Sequence, residues 1–150
     1  MTKRDSARDR YQLEWKVSFS PWMTFVGSFI GGSVAGGVLA GNILLGDPVG
    51  EDLSSQTIGQ AAVLVLGTAI AVFLLLGPVL GWGLGFALRN VENNGMHILA
   101  FAALGLVVGF SVGEFLGRLV DVVGLGVSVA PAAGIGAAVG RWAISRFAKK

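Results

Sequence analysis

Few residues in this chain have the chemistry to act, and the most conspicuous lie in a run of regularly spaced glycines. Glycine returns at Gly105, Gly109, Gly113 and Gly117, with Glu114 inside the run and Arg118 directly after it. Four residues apart on a helix is side by side, so the carboxylate and the guanidinium are placed to meet. Ionisable groups in an apolar span are costly, and they are candidates for ion ligands, proton relays or partner contacts. Depth argues for a structural role here. Counted from His97, Glu114 lies about 25 Å along a hydrocarbon core of about 30 Å. At that outer edge a mutual ion pair satisfies both groups, and Asp121 can share the guanidinium. Asn42, late in an earlier apolar run, is the third polar candidate, able to hydrogen-bond across an interface near Glu114 or Arg118.

The remaining chemistry is sparse. His97 stands alone and the chain has no cysteine, so no metal-ligand spacing is met and a disulfide or thiolate nucleophile is excluded. His97 is expected at the headgroup boundary. Ser28, Ser33, Thr68 and Ser111 fall within apolar helices, where a hydroxyl returns to a backbone carbonyl and needs no nucleophilic role. Gly81, Gly83 and Phe86 form a broken dinucleotide fingerprint in an apolar helix, which carries no weight. No hydrolase elbow, metalloprotease motif or phosphate loop occurs. The reading is a protein without cofactor or metal that is not an enzyme; a lipid-directed activity through Glu114 and Asp121 has no motif behind it.

What positions these residues is a membrane. The chain is 53% apolar and 13% charged, against about 45–50% and about 25% for soluble proteins, and its mean hydropathy is +0.73. Charge gathers at the ends: Lys3, Arg4, Arg8, Arg10 and Lys16 precede the apolar runs, and Arg141, Arg146, Lys149 and Lys150 close the chain. Basic residues flanking apolar segments mark the cytoplasmic side and meet anionic headgroups. Nucleic-acid binding would need a basic face instead, so no nucleic-acid partner is expected.

The periodicity predicts an all-α membrane protein of four transmembrane helices at 21–45, 58–88, 97–120 and 127–147. Residues 1–20 form a cytoplasmic or interfacial segment and 148–150 a basic tail. Between Tyr11 and Phe19 apolar and polar residues alternate strictly, the pattern of a half-buried strand, although the aromatics also suit an interfacial segment. Ser20 and Pro21 read as the cap and first position of the first helix. That helix is too long for a secretory signal, and no cleavage site follows it. The loop 46–57 is acidic, through Asp47, Glu51 and Asp52. The second helix is interrupted by Gly77-Pro78 and exceeds an upright span, so it must tilt, kink or protrude.

With both termini cytoplasmic, ten of the eleven basic residues lie on the inner side, Arg118 excepted, and Trp15, Trp22, Trp82 and Trp142 share one level. The setting is a cell membrane. Of the 24 glycines, Gly32, Gly36, Gly37 and Gly41 on the first helix and Gly105, Gly109, Gly113 and Gly117 on the third form small-residue rows that let helix backbones approach. In packing style the rows resemble glycine-zipper membrane proteins, a resemblance that carries no function. An offset of 76 matches Ser33, Gly37 and Gly41 to Gly109, Gly113 and Gly117, and the second and fourth helices share P-x-x-G-x-G. Two parallel helical hairpins would follow from such a repeat.

A bundle of four helices cannot use this many small faces internally. The expected function is therefore a small structural or accessory subunit in contact with the lipid bilayer, assembling as a homo-oligomer or with other membrane subunits. The alternative is a small oligomeric channel or transporter with Glu114 and Arg118 near the pathway. A shortage of polar groups at mid-depth weighs against it.

Overall fold

Apolar runs of this length have no way to satisfy their backbone in lipid except as helices. The computed structural model describes residues 21–45, 55–91, 93–119, 121 and 123–147. Four helices account for nearly all of them: α1 Pro21–Leu45, α2 Ser55–Ala87, α3 Asn94–Leu119 and α4 Leu125–Phe147. Each is long and apolar enough to cross a membrane, which fits a multi-pass membrane protein. The alternating segment 11–19, the acids of the first loop and the basic tail lie outside the described residues.

Helix starts differ from expectation where polar residues were read as loop. Ser55 to Thr57 are helical. α3 begins at Asn94, because Asn93 caps it: the Gly95 amide donates to the Asn93 side-chain oxygen at 2.8 Å. α2 passes through Pro78 without ending. At 33 residues it is about 50 Å long, well beyond a hydrocarbon core of about 30 Å. The turn before α4 uses two left-handed residues, Asp121 (φ 56°) and Gly124 (φ 81°). Aspartate tolerates that conformation through its short polar side chain.

The helices alternate in direction, and each contact is antiparallel. α1 packs on α2 along one side and on α4 along the other, and α4 also packs on α3, whereas α2 and α3 barely meet. Seen down the bundle the order is α2, α1, α4, α3. Burial is inverted relative to a soluble protein. Among the described residues the buried apolar ones are alanines, such as Ala35, Ala62, Ala130, Ala132 and Ala133, and no large side chain is fully buried. Val63, Leu75, Val79, Leu99 and Phe115 point outward. Lipid solvates large aliphatics as well as a protein core does, so contact between helices selects small residues instead.

One end of the bundle gathers the exposed aromatics Trp22, Trp82 and Trp142, the start of α1 and the ends of α2 and α4. Arg89 and Arg146 lie at the same end, stacked on Phe86 and Trp142 at 4.7 and 4.9 Å. Glu114, Arg118 and Asp121 lie at the other end.

Candidate functional site

Three seams bring backbones together. In the α3–α4 seam a Cβ placed on Gly105 would lie 2.6 Å from the Ala133 carbonyl oxygen, one on Gly109 would meet the Ala133 Cβ at 2.5 Å, and one on Gly113 would meet the Gly126 Cα at 2.6 Å. Gly117 is buried further along α3. In the α1–α2 seam Gly32 and Gly36 face Ile70, Phe73 and Leu66, at 2.8 to 3.0 Å from the same imagined atom. Near the aromatic end of that seam Gly77 backs onto Ser28. The third seam joins α1 to α4 through Gly27 and Gly31 against Gly140 and Gly136, backbone on backbone. This seam lies outside the two rows named from the sequence; the matching four-residue spacing of Gly27 and Gly31 with Gly136 and Gly140 was the available signal.

Gly37 and Gly41 differ. A Cβ on either would meet nothing within 4 Å among the described residues. The offset of 76 equates them with Gly113 and Gly117, which are both buried, so equivalent positions in the repeat do not have equivalent surroundings.

The polar candidates also separate. Glu114 and Arg118 are not joined by an ion pair within 4 Å, and neither is Asp121 joined to Arg118, among the described residues. The Glu114 carboxylate arm instead lies over Gly126 of α4, where the missing side chain leaves room, while Arg118 is exposed. Asn42 is exposed on α1 and lines a cavity. Ser28, Ser33 and Ser111 return their hydroxyls to the carbonyls of Thr24, Phe29 and Val107 at 2.8 to 2.9 Å. His97 is buried. Because α3 starts before it, the ring falls in the first helical turn, and Nε2 donates to the Val91 carbonyl at 2.8 Å.

The fourth face of the bundle is open. Between α2 and α3 lies a cavity of about 610 Å³ with walls from all four helices, within the range of small-molecule sites of about 300–1,000 Å³. Its lining is overwhelmingly aliphatic, through residues such as Val72, Leu104 and Val108, with Asn42 and Ser128 toward one end and Arg141 toward the other. Glu114 and Arg118 do not line it. Arg141 is the departure here. Placed near the end of α4 it should snorkel to water, yet it is half-buried on the cavity wall, its guanidinium 5.8 Å from the Phe101 ring centre. No spacing signal predicts such a cavity, because it arises from which helices fail to touch. Among the described residues no group of three or more His, Asp or Glu is placed to hold a metal ion. No protein family, curated protein or solved structure matches the chain.

Proposed function

We propose that the protein is a small structural or accessory subunit of a cell membrane, assembling with further copies of itself or with other membrane subunits through glycine-rich helix faces. One observation carries this reading: Gly37 and Gly41, one turn apart on α1, face nothing within 4 Å among the described residues, although the other glycine faces of that helix are occupied by α2 and α4. Glycine in a span removes lipid contact without compensation unless another backbone comes close. A third small face on α1 is therefore a surface for a further helix. Both termini lie on the cytoplasmic side in this reading, supported by the gathering of Arg89, Arg146 and three tryptophans at the end where α1 begins and α4 finishes.

The channel or transporter reading draws less support, since the cavity wall holds neither Glu114 nor Arg118 and offers an ion almost no polar ligands. Native mass spectrometry after gentle extraction tests the assembly. The expected result is a complex heavier than the single chain for the wild type and the single chain for the double variant Gly37→Leu, Gly41→Leu. A single chain in both cases, or an unchanged complex in the variant, would refute the proposal.

A further inference from the structure

We infer that the cavity between α2 and α3 is a binding site for one acyl chain of an anionic glycerophospholipid, with its phosphate held at Arg141. The inference is independent of the assembly proposed above. It starts from shape. Lining positions run from Leu64 to Gly81 on α2 and from Leu125 to Ile144 on α4, a length of at least about 25 Å at 1.5 Å per residue. Spread over that length, 610 Å³ leaves the centre of a water-sized sphere about 24 Å² in section, and adding that sphere's radius of about 1.4 Å at each wall makes the channel roughly 8 Å wide. A transmembrane helix with its side chains is about 10–12 Å across and does not fit. A hydrocarbon chain, whose carbons meet neighbours at about 3.5–4.0 Å, does.

The wall chemistry agrees. Aliphatic side chains, glycine backbones and the rings of Phe73 and Phe101 make most of the lining, with Ser28 and Thr68 among the hydroxyls along its α1 and α2 walls, a mainly apolar surface that suits methylenes. Entry needs no gate, because α2 and α3 barely meet and a chain can slide in sideways from the bilayer. They come together at one end, where a Cβ on Gly81 would touch the Phe101 ring at 3.6 Å. That is the end at which Arg141 stands over Phe101. Arg141 lies six residues before Phe147, about 9 Å inside the helix end, so its long side chain reaches between the channel and the headgroup layer. A guanidinium has five N–H donors, so one engaged within the bundle leaves others to meet a phosphate diester.

The test is lipid retention. The purified protein, passed through vesicles of equimolar phosphatidylglycerol and phosphatidylcholine with identical chains, is re-extracted and its bound lipid identified by native mass spectrometry. The wild type is expected to retain one phospholipid, with about a fivefold preference for phosphatidylglycerol, the worth of one basic residue near the surface. Arg141→Gln should abolish the preference, Arg141→Lys should keep most of it, and Val108→Trp should expel both lipids by filling the channel. Thermal unfolding of each variant separates lost binding from lost fold. Equal retention of the two lipids by the wild type would overturn the inference. So would a free fatty acid in place of a phospholipid, a second protein chain cross-linked into the channel, or undiminished binding in a folded Val108→Trp variant.

Discussion

Gly113→Ala is a change of one methyl group whose effect can be worked from distances. The three atoms nearest its new Cβ are all backbone: Gly126 Cα at 2.6 Å, Gly126 N at 2.9 Å and the Leu125 carbonyl oxygen at 3.1 Å. No side chain can swing aside, so α3 and α4 must part by about 0.8 Å to restore a contact of 3.4 Å. A gap of about 0.5–1 Å forfeits a quarter to a half of the dispersion attraction for every atom pair it separates. Overpacking of this kind costs about 1–3 kcal/mol. Alanine regains up to about 1 kcal/mol through helix propensity, leaving a net loss of up to about 2 kcal/mol. Gly83→Ala is the matched control. Gly83 lies inside α2 with nothing within 4 Å, so only the propensity gain remains and stability should be unchanged or slightly raised. Reversible unfolding in mixed detergent micelles measures both. Equal stabilities for the two variants, or a more stable Gly113→Ala, would refute the claim that α3 and α4 touch backbone to backbone.

Three further outcomes follow from single contacts. Gly77→Ala should destabilise by about 1–2 kcal/mol through its collision with Ser28, and adding Ser28→Gly should recover at least half of that in a double-mutant cycle. Asn93→Ala removes the cap of α3 and should cost about 1 kcal/mol, with faster hydrogen exchange at the Gly95 amide. Replacing His97 by Leu leaves the Val91 carbonyl without its donor, a loss of about 1–2 kcal/mol, read as earlier thermal unfolding.

The helices were legible because each apolar run is long enough to span and few polar residues interrupt it. Their ends were less so. Asn93, Asn94 and Gly95 have the composition of a turn, and only the capping contact shows that the helix has already begun there. Glycine spacing indicates which side of a helix is smooth without naming its neighbour. Gly105 and Gly109 meet α4, Gly32 and Gly36 meet α2, while Gly37 and Gly41 meet nothing among the described residues. The spacing of Glu114 and Arg118 permits an ion pair but does not compel one, and a glycine opposite Glu114 offers its arm another place to lie. Arg141 shows the same limit. Its depth is readable from its position in α4, but its turning into a cavity depends on the gap between α2 and α3, a tertiary fact with no local signal.

The central claim is that the open face of α1 meets another helix. The chain has no cysteine, so single cysteines at Gly37, at Gly41 and at the lipid-facing Leu99 of α3 can each carry a photo-crosslinker in native membranes. Protein adducts should form from Gly37→Cys and Gly41→Cys and scarcely at all from Leu99→Cys. Equal labelling from all three positions, or lipid adducts alone, would contradict the account.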